Sequence, residues 1–227
     1  MTANHLTPAD AQALQQCLAG DGVAVIPTDT VYGLACNPDS HSALRRIYEL
    51  KQRPPRKPAA VMFFTLQAAL ETLSELQERT RGALAALLPG PLTLLLENRA
   101  GRYPLACAAE EGAPPAALGV RVPLLTSTLN ALAAVSVPGA QSSANLSGQP
   151  DARRLQDVPA AIRSGADLVL DGGELPGVAS TVLDLRDYER TGNWSVVRAG
   201  PLQQPQIEEL LHPNREHRRR AASAAGE

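Results

Sequence analysis

The stretch Val23-Ala24-Val25-Ile26-Pro27-Thr28-Asp29-Thr30-Val31-Tyr32-Gly33-Leu34 decides the fold class of this chain. Its first four residues are apolar and end at a proline, the pattern of a short buried strand. Before them, Thr7-Pro8 followed by Ala11, Leu14, Cys17 and Leu18 predicts a capped amphipathic helix that stops at Gly20, with Cys17 in the core. After them, hydroxyls at Thr28, Thr30 and Tyr32 and the flexible Gly33 put donors and acceptors at a strand's carboxyl end, where open α/β sheets bind ligands. The same letters also suit an ordinary polar turn.

Working outward, residues 40–50 predict a second helix, with Leu44, Ile47, Tyr48 and Leu50 at helical spacing. An apolar run follows from Ala59 to Phe64, then helical patterns over 66–87, which Pro89-Gly90-Pro91 breaks before the run Leu92 to Leu96. Short apolar runs at 118–122, 167–170, 180–185 and 194–197 read as strands, with helices near 125–134 and 155–163 between them. This alternation predicts an α/β fold with a twisted, mixed sheet flanked by helices and a concave ligand groove. The expected domain is residues 1–211. Residues 100–117 read as a surface excursion, and 212–227, with Arg215 to Arg220, as a disordered basic tail.

The chain has 227 residues, 44% of them hydrophobic, enough for one substantial core. A formal charge of -2 supplies no global field toward nucleic acid or membrane, so anion binding has to be local. No apolar run approaches the ~20 residues of a membrane span, and the N-terminal residues lack signal-peptide character, so the cytoplasm is the expected compartment. Cys17, Cys36 and Cys107 are odd in number and lack a CxxC spacing, against a disulfide framework or zinc ribbon. No histidine accompanies Cys36 in sequence as a thiol nucleophile would require.

Local charge is concentrated in one place. The only two lysines, Lys51 and Lys57, lie in Lys51-Gln52-Arg53-Pro54-Pro55-Arg56-Lys57-Pro58, while every other basic residue is arginine. Four cations held together by prolines repel one another, which favours a highly charged anion among them, although a solvated basic loop has the same composition. Gln141-Ser142-Ser143-Ala144-Asn145-Leu146-Ser147-Gly148 reads as a small-residue turn able to aim amides and hydroxyls at phosphate, or as a plain Ser/Asn turn. Arg121 stands between apolar neighbours in a predicted strand and must meet a partner acid or a ligand carboxylate.

Together these segments resemble the threonylcarbamoyl-AMP synthases, single-domain branch, from about Leu14 to Leu202. The resemblance rests on PTDTVYGLAC at 27–36, KQRPPRKP at 51–58, LLPGPLT at 87–93, VRVP at 120–123, SSANLSG at 142–148 and STVLDL at 180–185. It implies that L-threonine, bicarbonate and ATP are joined into threonylcarbamoyl-adenylate with release of pyrophosphate. The product would pass to a tRNA threonylcarbamoyl transferase for modification of adenosine 37.

Residue by residue, the resemblance implies that Lys51, Arg53, Ser143 and Asn145 grip the ATP phosphates, with Lys51 and Arg53 catalytic and with Lys57 and Arg198 also facing the nucleotide. It implies that Thr30, Arg121 and Ser180 hold threonine. Met62, Gln141 and Ala117 depart from the family pattern near these ligands. Positioning and electrostatics would carry the chemistry, with Mg2+ entering alongside the nucleotide, since no carboxylate cluster has metal-ligand spacing. Two other readings stay open. The basic loop, with the tail, could bind an RNA backbone weakly, although aromatics are only 3% of the chain. A carbamoyl-adenylate-forming carbamoyl transferase shares the domain, but its zinc-finger-like region would need CxxC pairs.

Overall fold

The computed structural model describes residues 5–53, 57–107 and 117–213. Helix α1 (Pro8–Ala19) starts at a reciprocal cap: the Thr7 hydroxyl accepts the Asp10 amide and the Asp10 carboxylate accepts the Thr7 amide. Strands β1 (Val23–Ile26) and β2 (Gly33–Cys36) pair antiparallel around the 27–32 turn. Ser40 caps α2 (His41–Leu50) by accepting the Ala43 amide. The chain continues through β3 (Ala60–Met62), α3 (Leu66–Thr72), α4 (Glu78–Leu87), β4 (Leu92–Glu97), β5 (Ala117–Arg121) and β6 (Gly139–Ser143). It closes with α5 (Ala160–Gly165), β7 (Leu168–Val169), β8 (Thr181–Asp184), α6 (Tyr188–Thr191), β9 (Ser195–Arg198) and α7 (Gln204–Leu211). Among the described residues the nine strands form one mixed sheet, ordered β7-β1-β2-β6-β3-β5-β4-β8-β9, so the expected α/β class holds.

Three local expectations change. The helix expected near 125–134 is a 3-10 turn over Asn130–Ala134. Thr126-Ser127-Thr128 precedes it, and such hydroxyls compete with helical backbone bonds; the Thr126 and Thr128 side chains in fact bond each other at 3.3 Å. The helix expected over 155–163 splits into a 3-10 turn, Leu155–Asp157, and α5, because Pro159 between them has no amide to continue the ladder. The turn expected at 141–148 starts later, since Gln141, Ser142 and Ser143 are the end of β6. Of the expected tail, residues from 214 lie outside the described residues, as do 108–116 of the 100–117 excursion.

Strand alternation sorts the side chains onto two faces. On β5, Leu118 and Val120 enter the larger core, where Leu44 and Ile47 of α2, Leu84 of α4 and Ile207 of α7 also lie. Ala117, Gly119 and Arg121 point the other way. Only part of that second face is covered: Leu14 and Leu18 of α1 and Leu132 of the 3-10 turn meet Ile26, Ala35 and Met62. Burying Leu14 and Leu18, at 0% and 1% exposure, stabilises by roughly 1.5–3 kcal/mol each. Beyond α1, the β3-β5-β4-β8 part of this face carries a groove among the described residues.

Candidate active site

The groove has a volume of about 310 Å³. Ala60, Gly119, Thr93 and Val182 floor it, and the guanidinium groups of Arg53, Arg121 and Arg198 stand around it with Ser142 and Ser143. Small floor residues on adjacent strands leave room for a ligand, and three cations at its edge suit an anion.

On one side the basic loop meets the end of β6. Lys51 is the C-cap of α2, and its carbonyl accepts the Ser147 amide at 2.9 Å. Its ammonium donates to the Ser143 carbonyl, to the Asn145 carbonyl at 2.8 Å and to Asn145 Oδ1 at 3.0 Å. All three hydrogens are therefore engaged, and at 2% exposure Lys51 lies beneath the turn instead of on the groove wall. Burial, and then the positive charge of Arg53, lower its pKa to about 8. The Ser143 hydroxyl donates to Asn145 Oδ1 at 2.6 Å, completing a closed network.

Arg53 points the other way, into the groove. One guanidinium nitrogen donates to Ser142 Oγ at 2.7 Å and another to the Pro58 carbonyl at 3.0 Å, while the buried Nε has no partner among the described residues. A buried donor without an acceptor costs about 1–3 kcal/mol. Burial lowers the Arg53 pKa. Lys57 is exposed and does not line the groove.

On the other side Arg121, 4% exposed, finds the partner acid its strand position requires. It donates to Asp29 Oδ1 at 2.9 Å, Thr30 Oγ1 at 3.0 Å and Gln141 Oε1 at 3.2 Å, again leaving a buried Nε without a partner among the described residues. Asp29 also accepts the Leu124 amide at 3.0 Å. Burial raises the Asp29 pKa and lowers that of Arg121, and their mutual attraction opposes both shifts. Thr30 is fully buried behind Arg121, so it orients the guanidinium and does not itself line the groove. Ala117 and Gln141 do line it. Met62 does not: although it pairs in register with Arg121, its side chain packs into the α1 cluster, away from the groove.

Ser180 and Arg198 close the far wall, Arg198 donating to the Ser180 carbonyl at 2.8 Å through Nη2 and at 3.2 Å through Nε. Burial pushes the Cys36 thiol up to about 12, so it carries no thiolate near neutral pH. Among the described residues no group of three or more His, Cys, Asp or Glu is placed to hold a metal, and no helix is long and apolar enough to cross a membrane. Sequence reading gave no role to Asp29 or Thr93. Asp29 could have been found as the acid inside the first polar turn that Arg121 needs.

Residues 16–200 match the Sua5/YciO/YrdC family, described as "Telomere recombination". The chain belongs to this family. Relatives of this Sua5/YciO/YrdC chain include the threonylcarbamoyl-AMP synthase of Pyrococcus abyssi, 29% identical over 202 residues, or 86% of this chain and 55% of that one. Another is the threonylcarbamoyl-AMP synthase of Chromohalobacter salexigens, 35% identical over 165 residues, or 72% of this chain and 85% of that one. The crystal structure of P. abyssi Sua5 complexed with L-threonine aligns with a TM-score of 0.75 at 26% identity, over 91% of this chain and 58% of that one. This family member thus spans 55% and 59% of the length of the P. abyssi and Bacillus subtilis synthases.

Proposed function

We propose that this chain joins L-threonine, bicarbonate and ATP into threonylcarbamoyl-adenylate and pyrophosphate, as one catalytic domain over residues 1–211. The observation that carries the reading is the trio Arg53, Arg121 and Arg198 around one groove. Such a site is complementary to a ligand bearing several anionic oxygens.

In this reading Arg53, Ser142, Ser143 and Arg198 face the triphosphate, and Arg121, held by Asp29, Thr30 and Gln141, faces the amino-acid carboxylate. Lys51 supplies positive charge from beneath the Ser143–Asn145 turn and fixes that turn's shape. Bicarbonate takes up a proton and loses water to give carbon dioxide; threonine's ammonium gives up a proton, and the neutral amine adds to the carbon dioxide and releases an N–H proton, leaving a carbamate anion. A carbamate oxygen then attacks the α-phosphorus, the bond to the bridging oxygen breaks, and pyrophosphate leaves with that oxygen. The attacking anion approaches an already polyanionic chain, so groove cations lower the repulsion, and fixed donors do so without reorganising. Magnesium would enter as the nucleotide's counter-ion, held by phosphate oxygens. The adenylate would pass to a tRNA threonylcarbamoyl transferase in the cytoplasm.

Purified chain supplied with ATP, L-threonine and radiolabelled bicarbonate should release pyrophosphate and trap the label in an acid-labile adenylate. Omission of threonine should abolish both. Pyrophosphate release without label capture, or no threonine dependence, would overturn the assignment.

A further inference from the structure

Thr93 on β4 and Ser180, just ahead of β8, place their hydroxyls 2.8 Å apart, and both residues line the groove at 8% and 2% exposure. Arg198 Nη2 donates to the same Ser180 Oγ at 3.1 Å. The backbone around Ser180 is fixed tightly. A Cβ added at Gly200 would lie 2.4 Å from the Thr181 nitrogen and 2.5 Å from the Ala179 carbonyl, so the segment carrying Arg198 is pressed against it.

The hydrogens of this cluster can be counted. Each hydroxyl has one, and only one of the two can occupy the shared Thr93–Ser180 contact. The Arg198 N–H already supplies a further donor to Ser180 Oγ, so that oxygen is an acceptor there. The second hydroxyl hydrogen has no protein acceptor among the described residues. If Thr93 donates to Ser180, the Ser180 hydrogen remains; if Ser180 donates, the Thr93 hydrogen remains. Either way one O–H is left over in a pair of residues that both line the groove, beside the Arg198 guanidinium.

We propose that Thr93 is a further binding residue of this groove, pairing with Ser180 to present one donor that, with Arg198, seats a single anionic oxygen of the ligand. The inference rests on the proposed function for the ligands it names. That oxygen belongs either to the amino-acid carboxylate or to a nucleotide phosphate.

Calorimetric titration of the full chain with L-threonine and, separately, with ATP distinguishes the two sources. Thr93→Val keeps the shape and removes the hydroxyl; it should weaken one of the two ligands roughly 10- to 100-fold, the worth of a charge-assisted hydrogen bond, and leave the other unchanged. Thr93→Ser should restore affinity, because it returns the hydroxyl without the methyl. Melting temperatures of both variants check folding. Wild-type affinity for both ligands in Thr93→Val overturns the inference, as does a Thr93→Ser variant as weak as Thr93→Val, which would assign the effect to methyl packing. Wild-type protein that binds but makes no adenylate would overturn the proposed reaction, and the Thr93 comparison would still read.

Discussion

Raising pH from 7 to 9 should weaken nucleotide binding while it relieves strain in the unliganded fold, because both effects run through Lys51. The folded pKa of Lys51 is about 8, against an ordinary value of 10.5. A base whose folded pKa is depressed binds fewer protons folded than unfolded between those values, so its contribution to stability rises with pH through that window. Below pH 8 the charged, desolvated ammonium costs about 3 kcal/mol, and this cost fades toward pH 10.5. A bound polyphosphate reverses the preference, since it favours the charged amine. If it restores the ordinary pKa, ATP affinity falls roughly tenfold between pH 7 and 9, and binding at pH 8.5 takes up about three-quarters of a proton. Calorimetry in buffers of different ionisation enthalpy measures that uptake directly, and Lys51→Met, which has nothing to titrate, should abolish it. The reasoning fails if wild-type affinity is flat over pH 7–9, or if proton uptake survives in Lys51→Met.

Two further outcomes follow from the same geometry. Asp29→Asn leaves the buried Arg121 guanidinium without its counter-charge and should destabilise the fold by about 3–5 kcal/mol in a urea titration; an unchanged midpoint would mean that the pair carries no structural weight. Met62→Ala empties a packed site beneath α1 and should cost about 2–5 kcal/mol while the threonine KM stays at its wild-type value, so a raised KM at full stability would return Met62 to the ligand's surroundings.

What was legible in the chain was whatever repeats locally. Val23 to Ile26, Leu92 to Leu96 and the 40–50 helix declare themselves through period, caps and breakers, and they form as expected. β6 was not legible as a strand through Ser143, because its end faces the groove and is polar there, which reads as turn. The floor was equally silent: Ala60 and Gly119 matter through the side-chain volume they lack, and small residues carry no signature of their own.

The division of labour within the basic loop shows the deeper reason. Lys51 and Arg53 are two residues apart, yet one faces carbonyls beneath a turn and the other faces the groove. Gln52 between them has φ 49°, in the left-handed region that non-glycine residues enter only at a cost, and this reversal turns Arg53 away from the path of α2. The acceptors that engage Lys51 lie 92 to 94 positions along the chain, and the acid that holds Arg121 lies 92 positions before it. A local pattern can therefore say that this loop is charged and that Arg121 needs an acid. Which cation faces the groove and which one braces its wall is decided by contacts between distant segments: Lys51 has spent its three donors, whereas Arg53 and Arg121 line the groove and, among the described residues, have not spent all of theirs.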